Sequence, residues 1–130
     1  FRFFQMKHSL SDQELEYFTE IDFLTHVALG IGLLEEEDII PIGIGRYIVD
    51  QSDPTKAEIA FTVDDAYQGF GVGSLLLKHL SRIAKVKGVE EFHASVLETN
   101  EKMIRVLRRS EVSKKESQES GLIDFSLRLK

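Results

Sequence analysis

The stretch Gln68-Gly69-Phe70-Gly71-Val72-Gly73 is the part of the sequence best equipped for chemistry. Three alternating glycines let backbone N–H groups approach a ligand with no side chain in the way. A helical pattern begins directly behind them, in which Val72, Leu75, Leu76, Leu80, Ile83 and Ala84 recur at helical spacing. The first turn of a helix presents unpaired N–H groups and the positive end of the helix dipole. Loop and helix together therefore suit a pyrophosphate. Two other phosphate loops fit poorly. A P-loop ends in Gly-Lys-Ser or Gly-Lys-Thr, whereas Gly73-Ser74-Leu75 offers no lysine. A dinucleotide fingerprint counted from Gly71 wants its third glycine where Leu76 stands.

The loop has to be carried by a strand on one side and a helix on the other. Ala57 to Val63 supplies the strand, entered through the turn cluster Asp50-Gln51-Ser52-Asp53-Pro54. Two earlier runs rich in branched apolar residues, His26 to Leu34 and Ile39 to Val49, flank the charged turn Glu35-Glu36-Glu37-Asp38 and predict an antiparallel hairpin. Behind the loop, Gly88 is placed to close the helix and Phe92 to Leu97 returns to strand composition. Asn100 to Arg109, with Met103, Ile104 and Leu107 on one face, predicts a second helix capped by Thr99 or Asn100. Val112 to Leu129 reads as a hairpin around Gln118 to Gly121. Near the start, Ser11 with Glu14 three residues on, and Leu10, Leu15 and Phe18 as apolar partners, predicts a short helix. The expected order is helix, three strands, helix, strand, helix, two strands, an α+β fold.

On these residues the chain resembles the GNAT superfamily of N-acetyltransferases. Gln68 to Gly73 is similar to its pyrophosphate motif, and Asn100 to the asparagine opening the helix beside the pantetheine arm. Arg2-Phe3-Phe4, Thr19-Glu20-Ile21-Asp22-Phe23, Ala28-Leu29, Gly45-Arg46-Tyr47 and Ala57-Glu58-Ile59-Ala60-Phe61 resemble the GNAT domain of bacterial Pat-type protein lysine acetyltransferases, and the likeness runs from residue 2 to about Val112. It implies a mixed, mainly antiparallel sheet flanked by helices, with the family's first strand and helix missing here. It departs at Glu111-Val112, where the superfamily often has Gly-Phe, and at Leu107, where many members carry a tyrosine general acid.

The resemblance implies acetyl-CoA as co-substrate, held by Phe61, Thr62 and Val63 of the strand, by Gln68, Gly69, Phe70, Gly71, Val72, Gly73 and Ser74 of the loop and helix start, and by Asn100 and Met103 of the next helix. It implies Glu58 as general base. Alternation puts Glu58, Ala60 and Thr62 on the less apolar face of their strand, and Ile59, Phe61 and Val63 on the other. A surface carboxylate on a half-buried sheet reads the same way, and Asn100 is equally a plain helix cap. Arg105, Arg108 and Arg109 read as a solvated helix face, with phosphate contact as the alternative. Glu35 to Asp38 reads as a solvated turn.

Composition narrows the classes. One domain is expected over residues 1–130, and the opening Phe1-Arg2-Phe3-Phe4 reads as the middle of a longer chain. A formal charge of -6, from 22 acidic against 16 basic side chains, disfavours nucleic acid. The sequence has no cysteine, which excludes disulfides and thiolate chemistry and fits the cytoplasm. His8, His26, His79 and His93 show no ligand spacing, so no metal is expected. No apolar run approaches a membrane span. The expected activity is acetyl transfer from acetyl-CoA to a primary amine, a protein lysine by the resemblance. A non-catalytic acyl-CoA-binding module and a small-molecule amine acetyltransferase stand as alternatives.

Overall fold

The computed structural model describes residues 2–7, 14–23, 26–64, 67, 71–110 and 113–129. Along the chain these form β1 (Arg2–Lys7), β2 (Glu14–Phe23), β3 (His26–Glu35), β4 (Asp38–Val49), β5 (Lys56–Val63), α1 (Val72–Val86), β6 (Glu91–Leu97), α2 (Glu101–Arg109), β7 (Ser113–Glu119) and β8 (Leu122–Arg128). The strands make one sheet in the order β1-β2-β3-β4-β5-β6-β8-β7. Neighbours are antiparallel except β5 and β6, which are parallel because α1 carries the chain across between them. The expected α+β class, with a mainly antiparallel sheet and packed helices, is the class found.

Period-two alternation explains which face is covered. Val27, Leu29, Ile31 and Leu33 of β3, Ala57 and Ile59 of β5, and Phe92, Ala94 and Val96 of β6 are buried. Val72, Leu76, Leu77, Leu80 and Ala84 of α1 join the same core. Leu75 and Ile83, expected in that stripe, are half-buried at its margin. The helix lies close on β4: a Cβ at Gly45 would stand 2.7 Å from Phe61 Cδ1 and 2.9 Å from Leu80 Cδ1. Only glycine permits that approach. Further along, the Tyr47 and Phe92 rings meet with centroids 5.5 Å apart. Burial pushes the Tyr47 phenol up to about 12, so it stays neutral.

The α1 helix ends where expected, the Gly88 N–H donating to the Lys85 carbonyl at 3.1 Å. The predicted β3–β4 hairpin, the strand from Ala57, the strand from Phe92 and the closing hairpin are all present. The front of the chain differs from expectation. Leu15 and Phe18 belong to β2, not to a helix, and pair with Leu33 and Gly30 of β3; Ser9 to Gln13 lie outside the described residues. Physically, Leu15, Tyr17, Thr19, Ile21 and Phe23 alternate with mostly charged residues, a strand pattern that overrides the local capping signal. The first strand, β1, was also absent from the expected order, and it pairs antiparallel with β2.

Candidate functional site

The two parallel strands separate early. Pairing between β5 and β6 covers only Lys56↔Glu91, Ala57↔Phe92 and Glu58↔His93, although β5 continues to Val63 and β6 to Leu97. Past Glu58 the β6-facing edge of β5 pairs with no strand among the described residues, so the sheet forks.

The fork opens toward a cavity of about 400 Å³. Its walls are Phe61, Thr62 and Val63 of β5, Gly71, Val72, Gly73 and Ser74 at the start of α1, and Asn100 and Met103 of α2, so nine of the twelve residues expected to hold a cofactor meet at one place. Gln68, Gly69 and Phe70 lie outside the described residues.

Each wall has a local cause. Gly71 precedes α1 at φ 84°, left-handed backbone that favours glycine, and no described residue lies within 4 Å of where its Cβ would be. Among the described residues, no side chain caps the α1 N-terminus, and its first turn carries no acidic residue to oppose an anion at the helix dipole. In contrast, the Asn100 side chain caps α2, Oδ1 accepting from the Met103 N–H at 3.2 Å.

The sequence reading missed several lining residues. Tyr67, Lys102 and Val106 also face the cavity, as do Arg105 and Arg109, which were expected on a solvated helix face. Arg108 takes another role: its Nε and Nη2 donate to the Glu116 carboxylate at 3.1 and 2.9 Å. That bond holds the Glu116 carboxyl below its usual range and raises the Arg108 guanidinium. The available signal was helical spacing, since residues 102, 105, 106 and 109 stand at i, i+3, i+4 and i+7 on one face of α2. A second cavity of about 560 Å³ shares Ser74, Val106 and Arg109 with the first and adds Lys78, Arg82 and Lys85 of α1. The two cavities adjoin at those shared residues, and the second follows α1 toward its C-terminal end.

Glu58 does not line either cavity. It is exposed on the opposite face of the sheet, at the last paired position of β5, between Ile48 of β4 and His93 of β6. The alternation read from sequence holds there, with Ala60 and Thr62 exposed on the same strand and Ile59 buried. Glu58 therefore marks the vertex of the fork, on the face of β5 that it shares with Ala60 and Thr62.

Comparison with known proteins agrees with this arrangement. A family model described as "Acetyltransferase (GNAT) family" matches residues 2–110. "Acetyltransferase Pat" of Mycolicibacterium smegmatis is 36% identical over 110 residues, covering 84% of this chain and 32% of the relative. This chain thus spans about a third of that relative's length. The solved GNAT domain of the S. lividans PAT is 34% identical with a TM-score of 0.69, covering 86% of this chain and 65% of that one. A putative acetyltransferase from Salmonella typhimurium, solved with its cofactor acetyl-CoA, shares the fold at a TM-score of 0.67 and 21% identity, over 82% of this chain and 66% of that one. The chain belongs to the GNAT family of acetyltransferases, enzymes that draw their acyl group from acetyl-CoA.

Proposed function

We propose that this chain transfers the acetyl group of acetyl-CoA to a primary amine, a protein lysine, by direct attack in a ternary complex. The observation that carries the reading is the fork: β5 and β6 part after Glu58, and the end of β5 leads into a cavity walled by a helix N-terminus that no described side chain caps and by Arg105 and Arg109. An elongated molecule with a peptide-like arm and a phosphate-bearing end fits that sequence of surfaces. The arm would lie along the backbone of Phe61 to Val63, past the point where β6 leaves β5. The pyrophosphate would meet the amides of Gly71 to Ser74, and the remaining phosphate the cations of the cavity. The likeness to acetyltransferases named Pat supports a lysine as acceptor.

The chemistry assigned to this chain's residues is short. An unperturbed lysine has a pKa of about 10.4, so at neutral pH it must lose a proton before its nitrogen can attack. Glu58 would accept that proton at the vertex, on the side from which an acceptor can approach the exposed sheet face. Holding both substrates together supplies much of the acceleration. Leu107 is wholly buried and offers no proton, so the departing thiolate would be protonated by solvent or leave as the anion.

Glu58→Gln keeps size and polarity and removes the base. Acetyl-CoA affinity by calorimetry should be unchanged, while turnover falls by roughly 10²- to 10⁴-fold. Full turnover in the variant would remove Glu58 from the mechanism. Acetyl-CoA binding by a wild-type chain that acetylates neither a lysine peptide nor a small amine would leave a binding module in place of an enzyme.

A further inference from the structure

The cavity of about 560 Å³ beside the proposed cofactor seat follows α1 from Ser74 to Lys85. Lys78, Arg82 and Lys85 line it at i, i+4 and i+7, the spacing of one helix face, and Arg109 lines it from α2. Among the described residues no carboxylate lines this cavity or the first. Elsewhere the chain pairs its cations: Lys56 lies 3.8 Å from Glu91, Arg108 2.9 Å from Glu116 and Arg128 3.4 Å from Glu90. Lys78, Arg82, Lys85 and Arg109 make no such pair among the described residues. A chain of formal charge -6 thus gathers four unpaired cations about one cavity. A cleft lined by one sign of charge attracts the other. Lys85, in the last turn, also suits the helix dipole, but Lys78 and Arg82 stand mid-helix, where the dipole has no need of them.

The kind of anion follows from the donors. Ser81 and Ser110 donate their hydroxyl hydrogens to the Leu77 and Leu107 carbonyls, each at 2.7 Å. From Leu75 onward the α1 amides donate within the helix, beginning with the Leu75 N–H to the Gly71 carbonyl at 3.0 Å. The cavity therefore offers side-chain cations and no backbone cradle, and it runs toward the negative end of the α1 dipole. A compact phosphate is better served at the first turn of a helix, where amides have no intrahelical partner. This cavity suits charge spread along a line. Ser74 to Lys85 covers about 16 Å of helix, the length of about five residues of extended chain. Lys78 and Arg82 stand about 6 Å apart along the axis, close to the repeat of about 6.6 Å between alternate side chains of an extended peptide. Leu77, Val106 and Leu129 supply an apolar floor for the side chains in between.

We propose that this cavity docks an acidic peptide segment of a partner protein, with alternate carboxylates on Lys78, Arg82 and Lys85, and that the docked segment excludes acetyl-CoA. Ser74, Val106 and Arg109 belong to both cavities, so a carboxylate and a phosphate would compete for the same guanidinium. The exclusion, unlike the docking, rests on the reading of the first cavity as the acetyl-CoA seat. A bound partner would then hold the chain without its co-substrate.

Titration calorimetry with a short peptide of alternating glutamate and alanine tests both parts. Wild type should bind it, more weakly as salt is added. Lys78→Glu combined with Arg82→Glu should lower the affinity by about tenfold or more. Both positions are exposed mid-helix and glutamate is a good helix former, so the fold should hold. Arg46→Glu combined with Lys56→Glu makes the same change of net charge on the sheet face that carries Glu58, and should lower the affinity by no more than about twofold. Saturating acetyl-CoA should weaken the peptide by about tenfold or more, and the peptide should weaken acetyl-CoA by the same factor. No peptide binding to wild type, or equal losses in the two double variants, would overturn the docking. So would self-association of wild type that the Lys78 and Arg82 substitutions abolish without affecting the peptide, which would seat a second copy there. A loss of acetyl-CoA affinity in that variant larger than its loss of peptide affinity, and absent for acetyl-dephospho-CoA, would assign the cavity to the cofactor's remaining phosphate and overturn the docking as well. Peptide affinity unchanged by bound acetyl-CoA would overturn the exclusion. Acetyl-CoA failing to bind wild type would remove the proposed function and the exclusion, while peptide binding lost in the Lys78 and Arg82 variant would still uphold the docking.

Discussion

Two helices open onto the same cavity and meet it with opposite N-termini. At α2 the chain satisfies its own helix: Asn100 accepts the Met103 N–H and Glu101 sits in the first turn, where a negative charge suits the dipole. At α1 the cap position is Gly71, with no side-chain bond and no acid following. One helix start is capped by a side chain, and among the described residues the other is not. The basic residues follow the same division, since Arg105 and Arg109 of α2 reach the cavity while Arg108 is tied to Glu116. On the proposed reading, α2 is a wall bearing cations and the start of α1 is the seat for the pyrophosphate.

The largest effect should come from reversing charge on that wall. Arg105→Glu combined with Arg109→Glu should weaken acetyl-CoA binding by about 100-fold or more, and the wild-type affinity should fall with added salt more steeply than that of the variant. Equal affinity and equal salt dependence in titration calorimetry would show that the wall does not meet the phosphates. A smaller effect is expected from Asn100→Ala, which takes the cap from α2. It should cost about 1 kcal/mol of stability, a fall in Tm of about 3–5 °C, and change acetyl-CoA affinity by only a few-fold. If affinity collapsed while Tm held, Asn100 would be a ligand contact first and a cap second.

The smallest effect concerns Arg108 and Glu116, an exposed pair. Glu116 is held below the ordinary carboxylate range, so its bond contributes stability at neutral pH, and that contribution is lost as pH falls through the folded-state value. Arg108→Ala should therefore lower Tm slightly at pH 7 and make no difference in acid, with acetyl-CoA affinity unchanged. A loss of affinity in this variant would break the division of labour among the three arginines.

Much of this was legible in sequence, for reasons that differ by region. The hairpin of β3 and β4, the strand β5 and the helix α1 announce themselves because their apolar residues recur at the period of the element that buries them. Asn100 was readable as a cap because its side chain acts locally. The start of β2 was misread because Ser11 and Glu14 imitate a helix start, while the alternation from Leu15 to Phe23 answers to pairing with two other strands. The fork itself has no signature in composition, since β5 and β6 keep strand character beyond the point where they part. Arg105 and Arg109 were hidden for a related reason. Their helical face is polar, and only the placement of α2 beside α1 turns it toward a cavity.

The most direct test of the open α1 terminus is Ser74→Glu, followed by titration with acetyl-CoA. Ser74 is exposed in the first turn of α1 and lines the cavity. A carboxylate there favours the helix dipole, so the fold should hold or gain slightly in Tm, while the same charge stands where a pyrophosphate would bind. The expected result is an undiminished Tm with acetyl-CoA affinity reduced by about 100-fold or more. Undiminished affinity in a folded Ser74→Glu protein would contradict the placement of acetyl-CoA at this helix.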